Sequence, residues 1–207
     1  RVEILAVSTE GDRRTDVPLS QIGGKGVFVK EVQRAVLSGD ADLAVHSAKD
    51  LPALTPDGLT LAAVPPRGEV RDALVGATIQ DLISIGAQGR RPTVATGSAR
   101  RRVQLAQLVP GVVFEELRGN MATRLGKSDD FDAIVVAAVA LERLGLAARV
   151  SEVISVDAMV PQVGQGALAV ECRSEDLATL ERLRTIEDPR SRRALDAERA
   201  FLAELGG

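Results

Sequence analysis

Apolar runs bounded by turn-forming residues alternate with stretches of helical periodicity along most of the chain. Most of these runs are continuously apolar, which is typical of strands that are covered on both faces. The predicted strands are 2–7, 43–46, 60–64, 93–96, 112–116, 132–138 and 167–172. The predicted helices are 27–38, 98–108, 120–127, 139–147, 174–187 and 190–204. This alternation predicts an α/β fold with mainly parallel sheets.

Two short segments rich in proline and glycine predict where the chain crosses between two lobes. They are 64–68 and 161–166. The first lobe then comprises 1–65 and 167–187, and the second comprises 66–166. A chain that crosses to a second lobe and returns leaves a cleft, and α/β proteins bind ligands in such clefts at the carboxyl ends of strands.

The composition is that of an ordinary globular protein, with 45% hydrophobic and 27% charged residues. No apolar run reaches the roughly 20 residues that a transmembrane helix needs. The single cysteine, Cys172, excludes an internal disulfide framework and favours a reducing, cytoplasmic compartment. One histidine and one cysteine also exclude the usual His/Cys metal sites, so no metal is expected. Because the chain starts at Arg1 and not at a methionine, the possibility that a leader was removed stays open.

Arginine is placed unusually. Arg100, Arg101 and Arg102 follow Ser98, a good N-cap, although cations are unfavourable in the first turn of a helix. A bound anion would explain them, because N–H groups, hydroxyls and guanidinium groups can bind it together. Genome composition explains the abundance of arginine about as well, but not its placement. The pattern recurs after the next predicted strand, at Arg118 and Arg124, and two such junctions predict a site for a ligand with several carboxylates or phosphates.

A second candidate site lies at the end of predicted strand 43–46. Asp50 follows Lys49 there, and Pro52 keeps the chain extended. A carboxylate beside a lysine at a strand end can transfer protons or stabilise a cation, although such a pair is more often only a surface ion pair. His46 is interpreted as an interior histidine. The loop 23–26 is glycine-rich but lacks the spacing of a P-loop, so it is interpreted as a mobile loop or lid.

Several segments, in this order, resemble the porphobilinogen deaminase (hydroxymethylbilane synthase) family over nearly the whole chain. The matching segments are 8–12, 23–31, 44–52, 66–73, 96–101, 117–120, 123–125 and 163–167. The resemblance implies two lobes of the type II periplasmic-binding-protein kind with the active site between them. It also implies a small third domain, of which 188–207 would be the start. That domain carries a dipyrromethane cofactor on a cysteine thioether.

The resemblance further implies the chemistry. The enzyme removes ammonia from porphobilinogen and joins four pyrroles head to tail into hydroxymethylbilane, for haem biosynthesis. Each ring brings an acetate and a propionate, and guanidinium groups bind carboxylates bidentately and stay charged. By this resemblance Asp50 is the catalytic carboxylate, and Lys25 and Lys30 belong to a loop over the cleft. The implied cofactor ligands are Ser47, Lys49, Thr96, Ser98, Arg100, Arg101, Arg118 and Gly119, and the implied substrate ligands are Arg124, Arg143 and Gln165.

The chain departs from the family at both ends. The family's first strand and helix should precede Arg1, and the cofactor cysteine should follow Gly207. Cys172 is not its equivalent, because it lies in the strand after Gly166 and is expected to be buried. The 207 residues alone are therefore not expected to sustain turnover. Gly97 also stands where many relatives have serine, which removes one hydroxyl ligand.

Two other functions remain open at this point. A non-catalytic anion- or solute-binding module of the same two-lobed fold would explain the arginines but gives Asp50 no task. A nucleic-acid-binding protein is disfavoured by the net charge of −3 and by the scarcity of aromatic residues. We therefore expect a small-molecule enzyme, monomeric, with no nucleic-acid or membrane partner.

Overall fold

The structure, a computed structural model, describes residues 2–7 and 29–206. Segment 2–7 has no regular secondary structure, and Val2 and Ile4 are almost fully exposed. The predicted strand 2–7 is therefore wrong for this structure. An apolar run becomes a strand only when a neighbouring strand satisfies its backbone groups, and no described strand pairs with this one. Lys25 and the predicted glycine-rich loop lie outside the described residues.

The described elements follow the predicted alternation with three additions, two strands and one helix. The strands are β1 Leu43–Ser47, β2 Leu59–Ala63, β3 Asp72–Val75, β4 Thr93–Ala95, β5 Val113–Glu115, β6 Ala133–Ala137, β7 Glu152–Val153 and β8 Leu168–Arg173. The α-helices are α1 Lys30–Ser38, α2 Ile79–Ala87, α3 Ala99–Leu108, α4 Met121–Gly126, α5 Ala138–Arg143, α6 Leu177–Leu183 and α7 Pro189–Glu204. Single 3₁₀ turns occur at Ala48–Asp50, Ser128–Asp130, Ala147–Arg149 and Arg184–Ile186.

The chain divides into two compact units. Unit 1 comprises Arg1–Gly68 and Val163–Gly207, and unit 2 comprises Glu69–Gln162. The α/β class predicted from the sequence is confirmed, with one sheet in each unit. Helix α7 is part of unit 1, and its Leu195 is fully buried in the core of that unit. The predicted lobe boundaries, and the assignment of 188–207 to a third domain, stay predictions.

Unit 1 contains a three-stranded sheet in the order β1-β8-β2. Both pairings are antiparallel, and Ser47 at the end of β1 is opposite Leu168 at the start of β8. Ala169 packs with Leu195 of α7 in one apolar cluster, while Cys172 packs with Leu183 of α6 in another. The expected burial of Cys172 is confirmed, and this burial raises the pKa of its thiol.

Unit 2 contains a five-stranded sheet in the order β5-β4-β6-β3-β7. Strand β4 is parallel to β5 and to β6, whereas β3 is antiparallel to β6 and β7. Helices α2 and α3 contribute Leu82 and Leu105 to a core that includes Leu74 and Val135. The carboxyl ends of β4, β5 and β6 share one edge of the sheet, and the start of β3 lies at that same edge because Asp72 is opposite Ala137.

The expectation of mainly parallel sheets is wrong for the described strands, because only the two pairings made by β4 are parallel. Continuous apolar runs report burial on both faces and do not report strand direction. Strand β3 brings the chain into unit 2 against the direction of the parallel strands, and β8 brings it back into unit 1 antiparallel to both of its neighbours.

The predicted helix ends are mostly confirmed by their caps. The side chains of Ser98 and Asn120 accept hydrogen bonds from the backbones of Arg101 and Thr123 at the starts of α3 and α4. Gly39 ends α1 in the left-handed conformation that glycine tolerates best. Within the described parts of the chain, no helix is both long enough and apolar enough to span a membrane.

Candidate active site

Asp50 lies in unit 1, on the 3₁₀ turn Ala48–Asp50 that directly follows β1. Its side chain is exposed, whereas Ala48 and Leu51 on either side of it are buried. The backbone N–H of Leu51 donates to the carbonyl of Ala48 at 3.3 Å and closes the turn. Leu51 is then extended, as expected for a residue before proline. The turn therefore presents the Asp50 carboxylate to solvent on an anchored backbone.

The segment that returns from unit 2 holds this turn in place. Gly164 has φ +74°, and a Cβ atom there would lie 2.9 Å from the carbonyl carbon of Ala48 and from the nitrogen of Lys49. The N–H of Ala48 donates to the carbonyl of Ala167 at 3.0 Å. Only glycine combines this left-handed backbone with such a close approach. The Ala48–Lys49 peptide, one residue ahead of Asp50, therefore packs directly on Gly164.

The other predicted residues of unit 1 lie in different environments. Ser47 and Lys49 are partly exposed beside Asp50, and Lys30 is exposed at the start of α1. Gln165 is fully buried, and its carbonyl accepts a hydrogen bond from Nε of Arg67 at 2.8 Å. The structure thus places Ser47 directly before the turn that carries Asp50 and Lys49 within that turn, and it places the side chain of Gln165 in the interior.

A buried polar cluster lies beneath β1. His46 is 7% exposed, in line with its interpretation as an interior histidine. Its Nε2 lies 3.1 Å from the carboxylate of Glu171, which also accepts from Nε2 of Gln33 at 2.9 Å. Burial lowers the pKa of Arg199, while the negative charge of Glu171 raises it. This cluster links α1, β1, β8 and α7 inside unit 1.

In unit 2, the candidate anion ligands gather at the carboxyl ends of the parallel strands. Thr96 follows β4, and its N–H donates to the carbonyl of Glu115 at the end of β5 at 2.9 Å. Its hydroxyl accepts from the N–H of Ser98 at 3.2 Å, so the residue before α3 is fixed by internal bonds. Thr96 is 2% exposed, whereas Ser98 is partly exposed.

The three consecutive arginines of α3 all have partners within the protein. Arg100 and Arg101 pair with the buried carboxylate of Asp72, and Arg102 pairs with Glu116 at 2.5 Å. Arg102 also lies over the ring of Phe114, 5.9 Å from its centroid. The cost of placing cations in the first turn is thus reduced by protein carboxylates, and a bound anion is not needed to explain all three.

The second arginine junction is built around the turn after β5. Gly119 has φ +101°, and a Cβ there would lie 2.8 Å from the side chain of Thr123. Nε of Arg124 donates to the carbonyl of Gly119 at 2.9 Å, and Arg118 precedes it, partly buried. Burial lowers the pKa of Arg101, and the positive charges of Arg100 and Arg124 lower it further. The two junctions therefore belong to one basic edge, whereas Arg143 is exposed at the end of α5.

Asp72 is the residue at this edge that the sequence did not reveal as part of a site. It lies within the segment 66–73 that carries the family resemblance, but no role was predicted for it. Its side chain is completely buried and accepts hydrogen bonds from both Arg100 and Arg101. The available signal was an acidic residue at the start of a short apolar run, in a stretch for which no strand was predicted.

These features define an α/β protein with an exposed carboxylate at a strand end in unit 1 and a basic strand edge in unit 2. A family profile described as "Porphobilinogen deaminase, dipyromethane cofactor binding domain" matches residues 1–181. Porphobilinogen deaminase of Syntrophus aciditrophicus (strain SB) is 46% identical over 208 residues, covering 100% of this chain and 67% of the relative. The same-named protein of Syntrophotalea carbinolica is also 46% identical, covering 100% of this chain and 65% of the relative.

Several of the solved structures that resemble the chain are named as solute- or substrate-binding proteins. A TRAP periplasmic solute-binding protein from Desulfovibrio salexigens is 12% identical with a TM-score of 0.47, covering 88% of this chain and 65% of that one. The second substrate-binding domain of a putative amino acid ABC transporter from Streptococcus pneumoniae is 14% identical with a TM-score of 0.43, covering 86% of this chain and 74% of that one. With sequence identities and TM-scores this low, neither similarity carries information about function.

The chain belongs to the porphobilinogen deaminase family. The members of this family are transferases, and membership supports the two-lobed fold of the type II periplasmic-binding-protein kind that the resemblance implied. Dipyrromethane is the cofactor of the matching family domain, as predicted. The chain spans about two thirds of the length of the curated relatives that it matches, 67% of one and 65% of another.

Proposed function

We propose that this chain supplies the catalytic carboxylate and the carboxylate-binding edge of a hydroxymethylbilane synthase. The reaction joins four porphobilinogen molecules head to tail and releases ammonia at each addition. The observation that carries the proposal is Asp50: an exposed carboxylate on a backbone anchored at the end of β1, in a chain of this family. A non-catalytic binding module would give the Asp50 carboxylate no task.

Asp50 has two tasks in the proposed mechanism. Loss of ammonia from porphobilinogen leaves an electron-poor azafulvene, and attack on it by another pyrrole carbon gives a cationic ring that must lose a proton. A fixed carboxylate stabilises the developing positive charge, and it can hold the proton that is released. Because Gly164 packs on the Ala48–Lys49 peptide, the turn that carries Asp50 is positioned before substrate arrives, which would lower the entropic part of the barrier.

The basic edge of unit 2 fits a ligand with several carboxylates. Arg100, Arg118 and Arg124 supply guanidinium groups there, and Ser98 supplies a partly exposed hydroxyl. Nε of Arg100 is buried and has no hydrogen-bond partner in the described part of the chain. These residues would hold the acetate and propionate groups of the dipyrromethane and of incoming rings. When bound, the cofactor supplies the pyrrole carbon to which the next ring is joined.

The remaining predicted residues stay proposals with narrower roles. Ser47 and Lys49 are adjacent to Asp50 and would bind a ring carboxylate beside it. Gly119 would let a ligand approach the backbone closely, because it has no side chain at the turn after β5. Arg101 and Gln165 are buried, so direct ligand contact would require them to move. Arg143 and Lys30 would act from exposed positions, and Lys25 lies outside the described residues.

We also propose that porphobilinogen is the only partner class and that the protein is a cytoplasmic monomer. The single cysteine supports a reducing compartment. The net charge of −3 and the four phenylalanines as the sole aromatic residues argue against nucleic acid as a partner. Light scattering of the purified protein across a concentration series tests the monomer, and a mass that grows with concentration would contradict it.

The decisive experiment replaces Asp50 with asparagine in the protein that carries these residues together with its cofactor. We expect kcat for porphobilinogen consumption to fall by about 10²- to 10⁴-fold, because the general acid–base group and the fixed charge are lost. Calorimetric affinity for porphobilinogen should change little. Asp57→Asn is the matched control, since Asp57 is an exposed carboxylate of the same unit. Turnover that survives Asp50→Asn would contradict the mechanism and favour a binding module.

A further inference from the structure

Helix α7 turns one of its faces towards the interior of unit 1. Ser191, Leu195 and Glu198 are four and three residues apart, so their side chains share this face. Ser191 and Leu195 are buried, and Glu198 is partly buried. The face therefore carries two polar groups, a hydroxyl and a carboxylate, at positions where a helix that only packed on a core would have apolar side chains.

The carboxylate of Glu198 joins the two segments by which the chain leaves and re-enters unit 1, after Gly68 and at Val163. Its Oε1 accepts from one terminal nitrogen of Arg67 at 2.5 Å, and its Oε2 accepts from the other at 3.0 Å. The same Oε2 accepts from the backbone N–H of Gly164 at 2.7 Å. One side chain of α7 thus holds the outgoing and the returning segment together.

Arg67 makes further bonds to the same parts of unit 1. Its Nε donates to the carbonyl of Gln165 at 2.8 Å, and its backbone N–H donates to the hydroxyl of Ser191 at 2.9 Å. Its side chain is 13% exposed, and that of Glu198 is 33% exposed. Because a bidentate arginine–carboxylate pair fixes the orientation of both groups, Arg67 holds the carboxylate where it can accept from Gly164.

Gly164 connects this arrangement to the turn that carries Asp50. A Cβ atom on Gly164 would lie 2.9 Å from the carbonyl carbon of Ala48, so the two backbones are in direct contact. Leu195, one turn before Glu198 on α7, packs in one apolar cluster with Ala48 and Leu51. Helix α7 therefore reaches the Asp50 turn by a polar route through Gly164 and by an apolar route through Leu195.

We propose that Glu198 is a positioning residue for Asp50, with Arg67 as its partner. Glu198 holds the N–H of Gly164, and Gly164 holds the backbone of the turn, so Glu198 acts through the protein and not on the substrate. This inference rests on the proposed function, because it assumes that Asp50 is the catalytic carboxylate. It gives α7 the task of supporting the catalytic turn of unit 1.

Loss of the Glu198 carboxylate should move the turn, because Gly164 is buried. A buried N–H without an acceptor is unfavourable, so the segment would shift until Gly164 reached water or another acceptor. The Ala48–Lys49 peptide would then lose the surface on which it packs. A displacement of about 1 Å in a catalytic group can cost about 100-fold in rate, even when its cause lies away from the reacting atoms.

A double-mutant cycle between Glu198 and Asp50 tests the proposal in the protein that carries its cofactor. We expect Glu198→Ala to lower kcat by about 10- to 100-fold and to change KM for porphobilinogen by less than about 3-fold. In an Asp50→Asn background, Glu198→Ala should lower the remaining kcat by less than about 3-fold, because the group that it positions is already lost. Equal losses in the two backgrounds would overturn the proposal.

Glu187→Ala is the matched control, because Glu187 makes the same kind of bonds in the same unit. Its Oε2 accepts from the backbone N–H of Val64 at 2.6 Å, and its Oε1 pairs with Arg192 at 2.6 Å. We expect Glu187→Ala to lower Tm about as much as Glu198→Ala does and to leave kcat unchanged. If kcat fell in proportion to Tm in both variants, Glu198 would act only on stability and the proposal would be wrong.

Amide hydrogen exchange tests the same support without using turnover. Glu198→Ala should speed exchange at Gly164, Ala48 and Leu51 more than at the amides of β8, whereas Glu187→Ala should speed none of these three selectively. Unchanged exchange at Ala48 and Leu51 in Glu198→Ala would overturn the proposal.

If Glu198→Ala does not fold, the parent protein decides: Gly164 should exchange slowly, and exchange as fast as in an unprotected peptide would contradict the bond to Glu198. If Asp50→Asn retains turnover, the proposed function fails, whereas the exchange measurements still test whether Glu198 supports the turn.

Discussion

Unit 1 and unit 2 both present functional side chains at the ends of strands, but they fix them by different means. In unit 1, Asp50 is exposed, and its position is set by backbone contacts with Gly164 and Ala167. In unit 2, the arginines are set by side-chain bonds to a buried carboxylate, Asp72. A short acidic side chain has few rotamers, so an anchored backbone already confines its carboxylate. Arginine has a long side chain, which must be held at its guanidinium.

This difference predicts that damage to the two units will have different kinetic signatures. Changes around Asp50 remove charge stabilisation at the reacting ring, so they should act on kcat. Changes around Asp72 disturb the arginines that would bind carboxylates of the substrate. These carboxylates are remote from the reacting atoms, so the changes should act on KM. Variants that alter only kcat or only KM would therefore support this difference between the two units, and variants that alter both equally would contradict it.

The largest effect is expected from Gly164→Ala in unit 1. The new Cβ would meet the Ala48–Lys49 peptide at 2.9 Å, and the residue would have to keep φ +74°. We expect a loss of about 3 kcal/mol in the free energy of unfolding and a fall in kcat, because the turn that carries Asp50 must shift. Chemical denaturation and initial-rate kinetics measure the two effects.

Gly39→Ala is the control for that variant. Gly39 also has a positive φ, +84°, but nothing lies within 4 Å of the position of its Cβ. It should cost only about 1 kcal/mol, from backbone strain, with kcat unchanged. Equal losses of stability and activity in the two variants would show that the close approach to the Asp50 turn has no special role.

A smaller effect, confined to KM, is expected from Arg100→Gln in unit 2. Loss of one charge-assisted contact to a ligand carboxylate should raise KM by about 10- to 100-fold, with kcat nearly unchanged. Arg102→Gln is the control, because Arg102 lies in the same helical turn but pairs with Glu116. It should cost below about 1 kcal/mol of stability and leave KM alone. If Arg102→Gln raised KM as much, the division of roles among the three arginines would be wrong.

The smallest effect is expected from Asp132→Asn, which acts on stability only. The hydrogen bond from Arg90 lowers the pKa of Asp132 to about 2, and bonds from Thr93 lower it as well. Because the folded-state pKa lies below the unfolded value of about 3.9, this stabilisation is complete above about pH 4 and is lost as the pH falls towards about 2. We expect the variant to lose about 1–2 kcal/mol at pH 7 and to show a weaker acid dependence between pH 4 and 2.

Acid titrations of the unfolding free energy, monitored by circular dichroism, test this prediction. Parallel curves for the parent and the variant over that range would mean that Asp132 does not keep its carboxylate charged in the folded protein. A change in KM would mean that this pair, too, communicates with the basic edge.

Local signals in the sequence predicted much of the fold and part of the site. Caps such as Ser98 and Asn120 mark helix starts by short-range hydrogen bonds, so both could be read directly. Helix α2 was missed, although Thr78 and Asp81 form a capping box that has the same kind of signature. Asp50 and the basic edge could be predicted because charged residues at strand ends are themselves a local pattern.

Long-range contacts could not be predicted. Strand β3 has only four residues and begins directly after Arg71, and no element was predicted for this segment. Asp72 meets its arginine partners across a separation of 28 and 29 residues, which no local pattern encodes. For the same reason, the burial of Arg101 and Gln165 was not visible, since polar residues are normally exposed. The direction of β8 also depends on its partners in unit 1 and not on its own residues.

The position of β8 has a consequence for the time order of synthesis. In the described sheet of unit 1, β8 lies between β1 and β2, and it is made only after all of unit 2. Unit 2 is one continuous stretch, Glu69–Gln162. A ribosome therefore releases every strand of unit 2 before it releases the strand that joins β1 to β2. Until then, the nascent β1 and β2 have unpaired edges, the state in which growing chains are most prone to aggregate.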